Sequence, residues 1–464
     1  MKIENVERNP VEAEQATTGR WIDHWEPEDA GFWHRTGKWV AWRNLWLSVL
    51  AEHLGFNVWT LMSIVVVSLD DVGYAFTVGQ TFWLLILPNL VGAALRIPYT
   101  FAVPRFGGRG WTTTSASLLL VPCAMLAGAV TAAGTPYWFF LLTAAVMGVG
   151  GGNFSSSMTN ISFFFPEHRK GLALGINAAG GNIGVAVSQL LVPFAIHLGT
   201  GVNLSYAALM WMPVIVVSSA CSWFFMNSLT AAKPDNTSYR EALTSKHTPV
   251  MALLYVGTFG SFIGFSFAFP SLIGIAFSDF SRFTGIAFIG ALIGSVARPI
   301  GGWLSDRLGG ARITLWNFVG LALGTVGVLL GVRVDSFALF FGSFVLLFVF
   351  TGIGNGSTYR MIPLIFRTET SARVARTGED MDAAQKAAKR QAGAVVGVVG
   401  SVGAFGGVVI NLVFKFSLQA GGTLIPALLA ILVFFLACGL VTWWFYVRST
   451  FAIERAPNLS HARI

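Results

Sequence analysis

The sequence predicts an all-α polytopic membrane protein with twelve transmembrane helices, built as two similar halves of six. Three observations predict this fold: the composition, the number of long apolar segments, and a block of residues that occurs twice with the same spacing. Of the 464 residues, 54% are hydrophobic and only 11% are charged. This composition is typical of a membrane protein and not of a soluble domain.

Twelve apolar segments are long enough to cross a bilayer, which takes about 20 residues of helix. They lie at roughly 45–69, 78–104, 112–132, 136–165, 170–196, 204–228, 248–276, 282–305, 311–332, 336–366, 391–417 and 423–447. The residues before them are polar and hold no short apolar segment with a cleavage site. We therefore expect no signal peptide.

The basic residues are concentrated on one side of the predicted membrane. The links after the odd-numbered segments hold only Arg282 and Arg333, whereas the two tails and the other links hold most of the 30 Lys and Arg residues. Because cytoplasmic loops are enriched in basic residues, we expect both termini in the cytoplasm and the protein in the inner (cytoplasmic) membrane. The net charge of +8 then reflects topology, and no nucleic-acid partner is expected.

The predicted domain organisation follows from these segments. It consists of a cytoplasmic N-terminal tail (1–44), an N-terminal six-helix half (45–230), a cytoplasmic linker (231–247), a C-terminal six-helix half (248–449) and a cytoplasmic tail (450–464). A charged cytoplasmic loop (367–390) interrupts the second half, and its mixture of Ala, acidic and basic residues predicts one short amphipathic helix. We expect the protein to work as a monomer in the lipid bilayer.

One block of residues appears in both halves. Gly92, Arg96, Arg105, Gly107 and Gly108 recur with the same spacing as Gly294, Arg298, Arg307, Gly309 and Gly310. This repeat makes segments two and eight equivalent helices. An arginine in the middle of a membrane helix costs roughly 2.5–3.5 kcal/mol on insertion scales, so Arg96 and Arg298 are expected to have a function. Two fixed positive charges indicate an anion site at the midplane between the halves.

Several motifs carry a resemblance to a known family. They are GNFSSSMTNISFFFP at 152–166, ALGIN at 173–177 with the glycines that follow, WEPED at 25–29, RIPY at 96–99, TFGSFIGFS at 258–266 and the glycine-rich segment eleven. Together they resemble the NarK-type nitrate/nitrite porters of the major facilitator superfamily, over nearly the whole chain.

The segment GWLSDRLGGAR at 302–312 resembles a cytoplasmic loop motif of that superfamily. We expect Asp306 and Arg307 in it to lock helix ends and gate closure without contacting substrate.

The resemblance implies roles for four residues. Arg96 and Arg298 would clamp nitrate or nitrite from the two halves, while Asn177 and Tyr255 would donate hydrogen bonds to the anion. A planar guanidinium suits a planar oxyanion and stays charged at any cellular pH. The alternatives are a gate contact for one arginine, a helix-to-helix hydrogen bond for Asn177 and an interfacial anchor for Tyr255.

Glycines on segments five and eleven lie close to three- and four-residue spacing, which leaves one face of each helix without side chains. The members are Gly175, Gly181 and Gly184 on segment five, and Gly397, Gly403 and Gly406 on segment eleven. Such faces allow close helix approach. We expect them to slide as the protein rocks between inward-open and outward-open states, with static packing as the alternative.

Three polar residues depart from the family pattern. Glu52 and His53 lie inside segment one, and intramembrane Glu and His are typical of proton relays; a structural contact is the alternative. Arg360 lies near the cytoplasmic end of segment ten. We expect it to pair in the gate, with Glu52 as one candidate partner.

The sequence favours a secondary transporter that exchanges nitrate and nitrite by alternating access. Nitrate/proton symport through Glu52 and His53 is the alternative, followed by organophosphate:phosphate exchange or a nitrate receptor without flux. The sequence contains no Walker loop and no metal-spaced His or Cys cluster, so we expect neither an enzyme nor a bound cofactor or metal. Cys123, Cys221 and Cys438 lie in apolar runs and are expected to serve in packing.

Overall fold

Within the residues that the structure describes, twelve helices are long and apolar enough to cross a membrane. The computed structural model describes residues 20–230, 232, 240, 243–448, 459 and 464; for residues 281–283, 382, 386, 389 and 390 it describes only the backbone. The helices are α1 (Ala30–Ser68), α2 (Val78–Phe106), α3 (Gly108–Thr131), α4 (Tyr137–Phe164), α5 (Glu167–Ala195), α6 (Tyr206–Phe225), α7 (His247–Ala276), α8 (Thr284–Leu308), α9 (Gly310–Arg333), α10 (Phe337–Thr377), α11 (Gln391–Gly421) and α12 (Ile425–Val447). The predicted all-α, twelve-helix fold is confirmed.

Local sequence signals set the ends of equivalent helices in the two halves. Thr77 begins α2 by accepting a hydrogen bond from the backbone N–H of Gln80, whose side chain in turn accepts from the Thr77 N–H. Gly107 ends α2 and Gly309 ends α8, with φ of 77° and 91°. Only glycine adopts such angles without steric cost. These two glycines occupy matching positions of the repeat, so both halves turn the chain in the same way.

The first helix begins earlier than the hydropathy pattern indicates. It starts at Ala30, where the Asp29 carboxylate accepts from the backbone N–H of Phe32 at 2.5 Å. The aromatic ring of Trp33 packs against Phe165 at 5.7 Å between centroids. Because basic residues are interspersed among these aromatics, the segment is too polar to register as a membrane span, although it is helical.

The charged segment 367–390 differs from the single short helix that the sequence predicts. The helix α10 runs without a break over Phe337–Thr377, and the membrane-spanning part given above for α11 belongs to a longer helix, Met381–Gly421, to which the label α11 refers from here on. Both helices therefore extend beyond the apolar segments. Gly378, with φ of 70°, lies at the bend between them. The reason for the difference is that Ala, Arg, Gln and Lys favour helix whatever the hydropathy. The charges mark where the apolar span ends and not where the helix ends.

A short parallel β-pair ties the chain ahead of α1 to the end of α6. Strand β1 (Trp21–Ile22) pairs with strand β2 (Ser228–Leu229), with Trp21 opposite Ser228 and Ile22 opposite Leu229. Close by, the Asn227 backbone N–H donates to the Asn44 side chain at 2.9 Å. The two ends of the N-terminal half therefore meet on the same side of the helix bundle.

The two halves contact each other at one end of the bundle and separate at the other. At the closed end, the Gln189 side chain on α5 donates to the carbonyl of Ser266 on α7 at 2.8 Å. The rings of Trp59 on α1 and Phe267 on α7 are 5.5 Å apart. A cavity of about 2750 Å³ occupies the other end, and the candidate site lies at its base.

Candidate functional site

Arg96 lies at the centre of the molecule and is fully buried. Its Nε donates to the carbonyl of Gly151 on α4 at 3.2 Å, and its Nη1 donates to the carbonyl of Gly400 on α11 at 2.9 Å. The Nη2 atom is also buried and has no hydrogen-bond partner among the described residues. An unpaired guanidinium N–H in a membrane interior is costly, so Arg96 keeps a donor free for a ligand.

Arg298 is the equivalent arginine of the C-terminal half and is 6% exposed. Its Nη1 atom is buried and, like Arg96 Nη2, lacks a hydrogen-bond partner within the described chain. No carboxylate of the described residues lies within ion-pair distance of either guanidinium. Neither charge is therefore neutralised by an ion pair within the described residues.

The ring of Phe154, on α4, connects the two arginines. The guanidinium carbon of Arg96 is 4.6 Å from the ring centroid, and that of Arg298 is 5.8 Å from it. Phe259 on α7 stacks on Phe154 at 6.0 Å and lies 4.8 Å from Arg96. The aromatic faces orient both cations.

Two tyrosines complete the C-terminal side of the site. Tyr255 stacks on Phe259 with ring centroids 5.2 Å apart, and it contacts Tyr359 of α10 at 5.4 Å. The Tyr359 ring lies 5.5 Å from the Arg298 guanidinium. The Tyr255 hydroxyl is buried near Arg298 and makes no well-formed hydrogen bond within the described residues. A π-helical turn at Val256–Gly260 places Tyr255 and Phe259 on the same side of α7.

The cavity leads from this site to one end of the bundle. Phe154, Arg298 and Tyr359 line its base, and charged residues such as Lys170 and Arg367 line its mouth. Arg298 is ten residues from the end of α8, or about 15 Å along the helix axis. The mouth lies among the links that the sequence analysis predicts to be cytoplasmic. If these links are cytoplasmic, the cavity opens to the cytoplasm and the protein is in an inward-open state. Arg96 lies behind Phe154, outside the cavity lining.

Glu52 and Asn177 form a separate buried network beside the site. The Asn177 amide donates to Glu52 Oε2 at 2.6 Å and also to the Ser157 hydroxyl. Ser157 is in turn 2.9 Å from the Ser48 hydroxyl. Asn177 thus links α1, α4 and α5 and is bonded within the protein. The expected contact between Asn177 and the anion remains a prediction.

The structure does not join Glu52 to His53. His53 Nδ1 is 3.0 Å from the carbonyl of Gly180, whereas Glu52 bonds Asn177. Consecutive residues of a helix point about 100° apart, so the two side chains reach different neighbours. No hydrogen bond between these two residues supports a proton relay.

The candidate pairing of Arg360 with Glu52 is wrong. Arg360 forms an ion pair with Asp306, and Glu52 is fully buried. Because Arg360 lies on α10 and Asp306 on α8, this pair joins helices of one half and does not bridge the two halves. Arg307, next to Asp306, instead lies 4.3 Å from the Trp303 ring.

The glycine faces of α5 and α11 pack inside each half. A Cβ at Gly181 would meet the Glu52 carboxylate, and one at Gly184 would lie 2.5 Å from the His53 carbonyl, both on α1. Likewise, a Cβ at Gly403 would meet Tyr255, and one at Gly406 would lie 2.7 Å from Gly260. Gly175 and Gly397 have open space around them and line the cavity. A sliding movement of these faces stays a prediction.

Comparison with known proteins identifies the family. Residues 40–376 match the Major Facilitator Superfamily. The chain is 42% identical over 445 residues to the nitrate/nitrite transporter NarU of Salmonella typhimurium (strain LT2), which covers 92% of this chain and 96% of that protein. It is 35% identical to the "Probable nitrate/nitrite antiporter NarK2" of Thermus thermophilus, covering 94% of this chain and 98% of that one. The chain belongs to the NarK-type nitrate/nitrite porter family of the Major Facilitator Superfamily.

Solved structures agree with the fold of this NarK-type chain. The crystal structure of a D-xylose-proton symporter superposes with a TM-score of 0.66, covering 91% of this chain and 99% of that one. Its sequence identity is 11%, so this likeness concerns the fold alone. The predicted family and the predicted two-half architecture are both confirmed.

The sequence analysis assigned no role to three residues of this NarK-type site. Phe154 and Phe259 occur in the quoted motifs without a role, and Tyr359 lies outside all of those motifs. In a sequence with 39 Phe residues, an aromatic that contacts an arginine looks like any other core residue. The one usable signal is position, because Phe154 follows Asn153 in the polar motif of α4.

Proposed function

We propose that this protein exchanges nitrate for nitrite across the cytoplasmic membrane by alternating access. The observation that carries the proposal is the pair of buried guanidinium groups, one from each half, each with an unpaired N–H beside Phe154. The substrate class comes from relatives that are named as nitrate/nitrite transporters and that match this chain over almost their whole length. Family membership makes the chain a membrane transporter, and nothing in the site requires a catalytic step.

The chemistry of the site suits a small planar anion. Nitrate and nitrite can lie against the Phe154 ring and accept N–H donors of Arg96 and Arg298 in their own plane. The Tyr255 hydroxyl, buried and without a well-formed hydrogen bond among the described residues, offers a third donor. An anion held in this way contacts both halves at once. Binding energy is then gained only when the halves are close together.

Exchange follows from the charge of the empty site. Two cations that lie against the same aromatic ring repel each other, and in a medium of low dielectric this repulsion is poorly screened. Closing the cavity around an empty site is therefore unfavourable, whereas an anion neutralises part of the charge and allows closure. Each half-cycle needs a bound anion, so inward movement of one anion is tied to outward movement of another.

The orientation of the protein forms part of the proposal. The basic links lie at the mouth of the cavity, where Lys170, Arg307, Arg312 and Arg367 contribute to the lining. Under the positive-inside rule, this mouth faces the cytoplasm, as do both termini. Thiol labelling of Thr377→Cys, in the extension of α10, from each side of sealed vesicles would test the orientation.

The test of function is uptake of labelled nitrate into proteoliposomes at equal pH on both sides. Uptake should require nitrite inside the vesicles, and Arg298→Lys should abolish it because a lysine cannot present two in-plane donors. Arg333→Lys is the matched control, since Arg333 is exposed at the opposite end of the molecule, and it should leave uptake unchanged. Uptake that needs no internal anion and appears only with an inward proton gradient would overturn the exchange proposal.

A further inference from the structure

Two arginines lie against one tryptophan where α3 begins and α6 ends. The guanidinium carbon of Arg109, in the first turn of α3, is 4.4 Å from the centroid of the Trp223 ring, and that of Arg20 is 5.7 Å from it. Arg20 and Arg109 lie within electrostatic range of each other. Neither forms a salt bridge with a carboxylate of the described residues. Two like charges are therefore held together without a counter-charge.

The short β-pair holds these two arginines next to each other. The Arg20 carbonyl accepts from the backbone N–H of Ser228 at 2.9 Å, and the Ser228 hydroxyl accepts from the backbone N–H of Arg109 at 3.3 Å. In addition, Arg109 Nη1 donates to the carbonyl of Trp223 at 3.3 Å. Because these contacts position the main chain of both residues, their proximity is built into the fold.

The internal repeat explains why this positive charge is not neutralised. In the C-terminal half, Asp306 pairs with Arg360. The matching residue of the N-terminal half is Pro104, and the turn from α2 to α3 contains no acidic residue. Asp23, which is close to the cluster in the chain, instead accepts from the Thr230 hydroxyl at 2.7 Å. The cluster therefore lacks the acid that its counterpart has.

Exposed apolar side chains surround the cluster. Trp223 is 41% exposed, and the next two residues, Phe224 and Phe225, are 69% and 55% exposed. Large apolar side chains exposed on a membrane helix face lipid, and tryptophan is enriched at the level of the headgroups. The two guanidinium groups therefore lie at the depth of the phospholipid phosphates. With the proposed orientation, these phosphates belong to the cytoplasmic leaflet.

We propose that Arg20, Arg109 and Trp223 form a binding site for the headgroup phosphate of an anionic phospholipid. Guanidinium groups bind phosphate oxygens through charge-assisted hydrogen bonds, and basic residues at the cytoplasmic surface attract anionic lipids. A zwitterionic lipid carries its own cation, so it gains less from the two arginines. A bound lipid joins α3, α6 and the chain ahead of α1, and so stabilises the N-terminal half. This site is separate from the anion site beside Phe154.

The experiment measures thermal unfolding of the full chain in detergent at increasing concentrations of dioleoylphosphatidylglycerol or dioleoylphosphatidylcholine. Phosphatidylglycerol should raise the unfolding temperature at lower concentrations than phosphatidylcholine. Arg20→Gln and Arg109→Gln should each weaken its apparent affinity by about fivefold, which is the effect of one basic residue near an anionic headgroup. The double variant should weaken it by about 25-fold. Native mass spectrometry of the same samples counts the lipid molecules that stay bound.

Arg376→Gln is the matched control. It removes the same charge from the helical extension of α10, where the Arg376 guanidinium also donates to one carbonyl, that of Ala372 at 3.1 Å. Its lipid affinity should equal that of the wild type. Loss of the bond to Trp223 lowers the stability of Arg109→Gln without lipid, so each variant is compared with and without lipid. Arg20→Gln changes only an exposed side chain and keeps the comparison decisive should Arg109→Gln not fold.

The outcomes are distinct. A preference for phosphatidylglycerol that falls in Arg20→Gln and Arg109→Gln, but not in Arg376→Gln, supports the proposal. Equal stabilisation by both lipids, or a preference that survives in the double variant, overturns it. Stabilisation by inorganic phosphate that is lost in the same two variants also overturns it, because the cluster would then bind a soluble phosphate. None of these results bears on nitrate exchange, which the uptake experiment tests.

Discussion

Phe154 shows how a single side chain organises the site. Its ring lies against both guanidinium groups and against Phe259, and it is 2% exposed. Contacts of this kind contribute about 2 kcal/mol when the cation is desolvated. They also fix the direction in which each fork of donors points. The ring therefore stabilises the arginines in the absence of an anion and provides a flat surface for one when it binds.

The first prediction concerns this ring. Phe154→Leu keeps an apolar side chain but removes the aromatic face, so nitrate affinity should fall by about tenfold, corresponding to the loss of about one cation–π contact. Nitrate titration of the purified variant measures the change. Phe140→Leu is the control, because Phe140 is buried on the same helix and contacts Tyr74 and Phe76 near the closed end. Equal losses in both variants would show that the effect is one of packing.

The limits of sequence analysis are clear at the level of single residues. The two arginines could be found because a charge within an apolar segment is conspicuous and the repeat gives each a counterpart. The partner of Arg360 could not, because the rotation of α8 about its axis decides whether Asp306 or another group faces α10. Asn177 illustrates the same limit, since its amide is placed by contacts with Glu52 on α1 and Ser157 on α4.

Among the helices, the packing of α8 on α10 holds Arg298 in place. A Cβ at Gly356 of α10 would overlap the backbone carbonyl of Arg298, and one at Gly352 would overlap that of Gly294. The two backbones therefore touch without side chains between them, as small residues allow in membrane helices. The position of the Arg298 guanidinium depends on this contact as well as on its own rotamer.

The second prediction tests that contact. Gly356→Ala forces α10 away from α8, which should destabilise the protein by about 1–3 kcal/mol through overpacking and should raise the KM for nitrate. Gly342→Ala lies on the same helix, with open space around the added methyl group. It should be neutral or slightly stabilising, because alanine favours helix over glycine. Thermal unfolding and nitrate uptake of the two variants provide the comparison; similar behaviour of the pair would contradict the packing argument.

The extensions of α10 and α11 form a second element that the hydropathy pattern missed. The Gln385 side chain donates to the Ser371 hydroxyl at 2.9 Å, and Arg373 lies 3.5 Å from Glu379. Ser371, Met381 and Gln385 line the cavity mouth. The charged segment thus forms a helical hairpin that lengthens the entrance. A hydropathy plot detects only where a helix leaves the apolar layer.

For the whole molecule, the sequence predicted the number of helices and the two-half symmetry, because both follow from hydropathy and repeat spacing. It did not predict which end is closed, since the two alternate states bury similar surfaces.

In the structure, α2 and α11 meet at the closed end. A Cβ at Gly407 would lie 3.0 Å from Asn89 Oδ1 and 3.0 Å from Ile263. This contact leaves little room for a larger side chain between the halves.

The third prediction uses this contact to shift the conformation. Gly407→Leu should separate α2 from α11 and favour the state in which the present cavity is closed. The measurement is maleimide labelling of Ser162→Cys, a cavity-lining position, with the native cysteines replaced by alanine. Labelling should fall in Gly407→Leu and stay unchanged in Gly128→Leu, where the added side chain meets open space. Full labelling in Gly407→Leu would mean that this contact does not hold the closed end together.

The hydrogen bond from Arg96 to the Gly400 carbonyl, at 2.9 Å, has a consequence for how affinities are understood. In the absence of nitrate, a peptide oxygen from the opposite half serves as an internal surrogate ligand for this arginine. An incoming anion either shares that guanidinium or displaces the carbonyl, so the measured affinity is a difference between two oxygen acceptors. This oxygen belongs to the main chain, so a substitution of Gly400 does not remove it. A stronger hydrogen bond from Arg96 to this carbonyl therefore stabilises the protein without substrate and lowers its affinity for the anion.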